Sequence, residues 1–222
     1  MKKHIVVFSH GFGVRKDDRG LFPGIISGLK GVETLMFDYN EIDEVKHTIT
    51  VLPLSKQAEI LTTVLSDIKK SYPEAIIDLI CHSQGCVVAA LAKPSFVRKT
   101  LFLAPLSVFN FDRIIESFKN RPGTEIRMDG VSRLSRLDGS TTLVPAEYWN
   151  EPEALHNPIE LYNELAHHTE LSIIKALDDE VLGSADFSTL SREIQVMEIH
   201  GNHGFTGEAR KELLRLIKKC IL

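Results

Sequence analysis

Four short stretches hold residues that could together carry out nucleophilic chemistry. The first is Cys81-His82-Ser83-Gln84-Gly85, set between an apolar strand pattern and an apolar helical pattern. A serine in a tight strand-to-helix turn has its hydroxyl exposed at the carboxyl edge of a sheet. Small residues two before and two after it let neighbouring backbone pass close by. The helix that follows points its N-terminus at the site, so the Gln84 amide can stabilise a developing oxyanion. The alternative is a serine that only N-caps an ordinary helix.

A serine nucleophile needs a base that reaches it from a loop beyond the sheet edge. His203, in Ile199-His200-Gly201-Asn202-His203-Gly204-Phe205, occupies such a loop between the last strand pattern and the last helical one. His200 belongs to the strand end and has a structural reading. A metal site at His200-x-x-His203 would need further ligands, and no acidic or cysteine cluster lies nearby in sequence. Ala176-Leu177-Asp178-Asp179-Glu180-Val181-Leu182 ends another strand and offers two carboxylates. Either could hold the imidazole tautomer, or both could cap a turn. Ser9-His10-Gly11-Phe12-Gly13 follows the first strand. It lacks the third glycine of a dinucleotide fingerprint, and a glycine turn without a role is its alternative. Arg15-Lys16-Asp17-Asp18-Arg19 reads as a solvated loop, Asp38 as structural, His82 as the variable position of the turn, and His167-His168 as surface residues ending a helix.

The elements that must position these residues alternate. Strands are expected at 4–9, 34–38, 75–81, 99–104, 171–177 and 195–200. Several are apolar on successive residues, as Ile5-Val6-Val7-Phe8 is, which marks strands covered on both faces of a parallel sheet. Leu54, Ala58, Leu61, Leu65, Ile68 and Tyr72 share one face of a helix that ends before Pro73. Residues 84–93 form a buried helix, and Ala209, Leu213, Leu216, Ile217 and Cys220 line a last one. This is the pattern of an α/β fold with a doubly wound, mostly parallel sheet flanked by helices. Between about 105 and 169 the alternation breaks. Phe109, Phe111, Phe118, Tyr148 and Trp149 lie there, with Asp129-Gly130 and Asp138-Gly139 marking a small hairpin and a helical run at 158–167. The region reads as a small lid inserted over the sheet of a single domain, 1–222.

The chain has 222 residues, 43% of them hydrophobic and 25% charged, proportions that let one domain bury a core without staples. A net charge of -4 without a basic stripe argues against nucleic acid. No apolar stretch approaches the roughly 18 residues of a membrane span. Lys2 and Lys3 before an apolar run resemble the start of a signal peptide, but the run is too short. Three cysteines without a CxxC pair suggest a reducing, cytoplasmic setting. Nothing specifies an oligomeric state.

The pentapeptide resembles the G-x-S-x-G nucleophile elbow of α/β-hydrolases, with Cys81 in place of the first glycine. The resemblance extends to the early His-Gly loop, the insertion, and an acid and a histidine in the expected order. It implies Ser83 as nucleophile, His203 as base and Asp179 as its orienting acid, because Asp179-Glu180-Val181-Leu182 fits the family pattern and Asp178 is one residue out. It places the oxyanion amides at Phe12 and Gln84. The reaction implied is hydrolysis of a small carboxylic ester or thioester through an acyl-serine, with no metal or organic cofactor. Phe109, Phe111 and Trp149 are expected to bind substrate. The insertion is similar to that of small bacterial esterases, including those acting on aromatic-acid esters, but its motifs name no substrate. A binding or signalling protein without turnover, or cofactor-free peracid or carbon–carbon chemistry, remains open on the same scaffold.

Overall fold

The computed structural model describes residues 2–222. In chain order its elements are β1 (His4–Ser9), α1 (Leu21–Ile26), β2 (Glu33–Met36), β3 (Glu41–Asp43), β4 (Thr48–Thr50), α2 (Leu54–Ser71), β5 (Ile76–His82), α3 (Gln84–Ala92), β6 (Lys99–Leu103), α4 (Phe111–Phe118), β7 (Val131–Ser135), β8 (Thr141–Pro145), α5 (Ala146–Asn150), α6 (Pro158–Ala166), β9 (Glu170–Ala176), β10 (Gln195–Ile199) and α7 (Glu208–Ile221). A 3₁₀ turn, Glu151–Ala154, follows α5.

Six strands form one parallel sheet in the order β10-β9-β6-β5-β1-β2. The expected strands match these six to within two residues at each end. α2, α3 and α6 cover one face around Val7, Leu79, Phe102 and Ile173; α1 and α7 cover the other around Val6, Phe8, Ile80 and Ile174. Successive strand residues therefore face two separate cores, which is why the strands are apolar without alternation. Asp78, fully buried at the amino edge of the sheet, is held by Arg98, by His4 Nε2 at 2.6 Å and by the Lys99 amide at 3.1 Å. It thereby joins β1, β5 and β6 at the edge opposite the reactive loops.

A second sheet was not expected in this form. Its order is β3-β4-β8-β7, with β4 and β8 parallel and the outer pairs antiparallel. The hairpin turns at Asp138-Gly139, where Gly139 takes φ +84°. At Asp129-Gly130 there is only a turn and a single bridge between Glu125 and Arg133. The hairpin is thus half of a sheet whose other half comes from 41–50, strands of three residues each. Such strands are too short to show a period, and their pairing with β8 is non-local. α1 also escaped the sequence reading; six residues that include Pro23 and Gly24 carry no helical repeat, yet Leu21, Phe22 and Ile25 are buried. α6 packs on α3 and β9, as part of the layer that flanks the main sheet.

The chain reverses direction of winding between β1 and β5. From β1 it proceeds outward to β2, and from β5 the other way through β6, β9 and β10. In such sheets the crevice outside the carboxyl ends of the two central strands is where a site forms. The crevice is narrow: a Cβ on Gly85 would stand 2.3 Å from Ser9 O and 2.6 Å from His10 O, both backbone atoms. Gly85→Ala is expected to cost roughly 1–3 kcal/mol or more, read as a lower urea midpoint at unchanged slope. Gly130→Ala, whose nearest neighbours are side-chain atoms of Arg127 from 3.7 Å, should leave the midpoint nearly where it was.

Candidate active site

β5 delivers its last residues straight into the turn before α3. Ser83 takes φ +53° and ψ −123°, a conformation that L-residues avoid and that is tolerated where surrounding structure over-determines it. Its amide is fixed to Leu103 O at 2.9 Å. Ser83 stands at the N-cap position of α3, but its hydroxyl makes no capping bond to the helix. The hydroxyl lies instead 3.0 Å from His203 Nε2, whose Nδ1 is 2.7 Å from Asp179 Oδ2.

Each partner is held by its own loop. Asp179 Oδ1 accepts from the amides of Val181 and Leu182 at 2.9 and 2.7 Å, leaving Oδ2 for the imidazole. Burial pushes the Asp179 carboxyl up, but the hydrogen bond and charge of His203 and the two amides outweigh it and hold it below the usual range. Asp178 points elsewhere; it is exposed and meets the exposed His200 at 3.6 Å. The His203 amide donates to Glu180 Oε2 at 3.0 Å, and Arg210 donates to the carbonyls of Gly204 and Phe205 just beyond it. Among the described residues, no three His, Cys, Asp or Glu side chains converge as a metal cage.

The His-Gly loop packs directly on the serine; a Cβ on Gly11 would be 3.4 Å from Ser83 Cβ. Its polar groups are almost all committed. The Gly11 amide donates to Asp18 Oδ2 at 2.9 Å, and Gly11 O accepts from His10 Nδ1 at 3.0 Å. Arg136 donates to Phe12 O and Gly13 O. The Gly11 carbonyl belongs to the same peptide unit as the Phe12 N–H, so holding one orients the other. Among the described residues the amides of Phe12 and Gln84 donate to no protein acceptor. The Gln84 side chain is pinned as well. It accepts from Tyr148 OH at 2.5 Å and donates to Gln57 Oε1 at 2.8 Å.

A cavity of about 230 Å³ opens beside Ser83 and Gln84, lined mainly by apolar side chains that include Leu54, Val87, Phe109, Phe111 and Tyr148. One aromatic expectation needs correction. Trp149 is not in the cavity wall. It is 3% exposed, stacks edge-on against Tyr148 and Phe111, and donates Nε1–H to Ser132 Oγ at 3.1 Å. Phe118 is likewise core, beneath the guanidinium groups of Arg121 and Arg136. Trp149 thereby faces β7 of the second sheet.

The sequence reading also misjudged Asp18 and His82. Asp18 is 6% exposed and His82 5%, and they pair at 2.8 Å from Nδ1 to Oδ2. No local pattern separates a buried carboxylate from its neighbours in Arg15-Lys16-Asp17-Asp18-Arg19; only its φ of +46° turns it inward. Asp38 accepts from the Lys16 amide at 2.6 Å, a structural contact.

An ordered Asp–His–Ser chain on a strained strand-to-helix turn, at the switch point of a parallel sheet, decides the architecture. The chain has the α/β-hydrolase fold. Solved structures agree: Est1E of Butyrivibrio proteoclasticus superposes with a TM-score of 0.67 at 15% identity, over 98% of this chain and 86% of that one. An esterase of Pyrococcus furiosus gives 0.66 at 15%, over 100% and 83%. A pyrethroid hydrolase of Sphingobium faniae gives 0.63 at 14%, over 99% and 97%. No family model and no curated protein matches the sequence.

The α/β-hydrolase geometry can move a proton from Ser83 to His203 and stabilise the imidazolium through Asp179. Asp179→Asn is expected to lower turnover by up to the order of 10⁴-fold, because the amide favours the wrong tautomer. Asp178→Asn should remain within a few-fold of wild type in a side-by-side kcat measurement on an activated ester.

Proposed function

We propose that this chain is a serine hydrolase that cleaves a small carboxylic ester or thioester. The observation that carries the reading is the 3.0 Å contact of Ser83 Oγ with an acid-oriented imidazole at the mouth of an apolar cavity. Ser83 Oγ attacks the carbonyl carbon while its proton passes to His203 Nε2. The tetrahedral oxyanion is held by the amides of Phe12 and Gln84, which water-poor surroundings make strong donors. His203 then protonates the departing alkoxide or thiolate, leaving an acyl-serine. Water, deprotonated by His203, attacks that ester and releases the acid and free Ser83. The cycle draws on no metal or organic cofactor. The structural neighbours include an esterase and a pyrethroid hydrolase, and one structure of Est1E holds ferulic acid. These support an ester substrate of modest size here.

A fluorophosphonate should label the wild-type protein at one residue, and Ser83→Ala should abolish the labelling. Equal labelling of that variant rejects Ser83 as nucleophile.

The segment of about 105–169 acts as the specificity element, through α4 and the loop before it. Phe109, Phe111 and Tyr148 face the cavity, so Phe109→Ala and Phe111→Ala should change the kcat/KM ratio between long and short acyl esters. About 1–3 kcal/mol of discrimination attaches to each methylene in such a pocket. Trp149→Ala should instead cost roughly 3–5 kcal/mol of stability and leave the ester ratio alone. An unchanged ratio in both phenylalanine variants rejects the lid as a selector.

A further inference from the structure

Two imidazoles stand side by side at this site, their ring centroids 4.7 Å apart, and the partners of their Nε2 atoms differ in kind. Each gives Nδ1 to a carboxylate: His203 to Asp179 at 2.7 Å and His82 to Asp18 at 2.8 Å. They differ at Nε2. His203 Nε2 meets the Ser83 hydroxyl, which can donate to a bare nitrogen. His82 Nε2 meets the main-chain carbonyl of His203 at 3.0 Å, and a carbonyl only accepts. A neutral His82 with its proton on Nδ1 would press a nitrogen lone pair against that oxygen inside the protein. With its proton on Nε2 it would face the Asp18 carboxylate the same way. Only a ring protonated at both nitrogens satisfies both contacts.

We propose that His82 is held as an imidazolium and acts as a positioning residue, clamping the oxyanion loop and the base loop to either side of Ser83; this rests on the serine-hydrolase reading. The links are continuous. Asp18 Oδ2 accepts both from His82 Nδ1 and from the Gly11 amide at 2.9 Å, the residue before Phe12. Nε2 of the same ring holds the main chain of His203. Because His82 immediately precedes Ser83, one side chain ties the nucleophile's own backbone to both of its helpers. The charge has no chemical step of its own.

The charges around His82 favour this state. Asp18 faces it from the loop after β1, Asp179 from the loop after β9, and the His203 carbonyl from the loop before α7. The nearby His10 is kept neutral by burial, its pKa pushed down. Burial pushes the His82 imidazole down, but the charge and hydrogen bond of Asp18, the His203 carbonyl and Asp179 outweigh it, and its pKa is raised. Asp18 is correspondingly lowered, burial being outweighed by His82. A raised histidine contributes its clamp fully below its unfolded value, about 6.5, and loses it as pH rises through the folded value. The clamp therefore fails on the alkaline side.

The test uses the full chain, labelled with nitrogen-15, and two-bond proton–nitrogen spectra of the histidine rings assigned with His82→Gln. At neutral pH the wild type should show His82 protonated at both nitrogens. A singly protonated His82 overturns the proposal, and this arm needs no variant to be active. In the second arm, folded His82→Gln and Asp18→Asn should lose kcat with little change in KM. The rate of fluorophosphonate capture at Ser83 should fall by the same factor, and the wild type's alkaline loss should vanish. Wild-type kcat and capture rate in both variants overturn the positioning role. If Ser83 of the wild type is not captured at all, the hydrolase reading falls separately, and the ring protons of His82 still decide its assignment.

Discussion

At Gly85 the first turn of α3 rides so close on the end of β1 that no side chain fits between them, with Ser9 O 2.3 Å from where a Cβ would be. That approach brings the ends of β1 and β5 side by side. It forces the tight turn between β5 and α3, and the turn throws Ser83 into positive φ with its hydroxyl outward. It also lays the His-Gly loop against the serine. The site is therefore a consequence of two adjacent strands ending at the switch point of the sheet, with the loops after β9 and β10 bringing Asp179 and His203 from the far side.

Around the serine, almost every polar group is fixed by a partner that does not react. Leu103 holds the Ser83 amide, Val181 and Leu182 hold the spare oxygen of Asp179, and Tyr148 and Gln57 hold Gln84. Burial pushes the Tyr148 phenol far up, so it remains a donor to Gln84. Pre-organisation of this kind places donors before charge develops, which is where electrostatic catalysis gets its effect. The second sheet serves the same end from outside: Arg136, just past β7 and without a carboxylate partner among the described residues, is pushed down to about 9 by burial and by Arg19 and Arg121, and holds the carbonyls of Phe12 and Gly13.

Legibility in the sequence followed the range of the interactions. The six long strands and the helices α2, α3 and α7 were readable because their burial repeats along the chain. The Ser, Asp and His stretches were readable because each ends a strand. β3, β4 and α1 were not: two strands of three residues and a short helix containing Pro23 and Gly24 carry no repeat of their own, and their stability comes from distant partners. Trp149 was expected in the cavity wall but packs against β7, because its own stretch of sequence does not say which neighbour covers it.

Local pattern alone determined the strand-to-helix turn at Ser83 and the glycines flanking His203; the preference for Asp179 over Asp178 came from the family resemblance. The first two depend on residues within a few positions of one another, so backbone geometry and hydrophobic repeat suffice. The tertiary structure decided which charges are buried. Asp18 and His82 lie 64 residues apart, the one read as part of a solvated loop and the other as the variable position of the turn, and their pairing exists only once β1 and β5 lie adjacent. A charge leaves water only when the fold brings its partner to it, and that partner is not written in the neighbouring sequence.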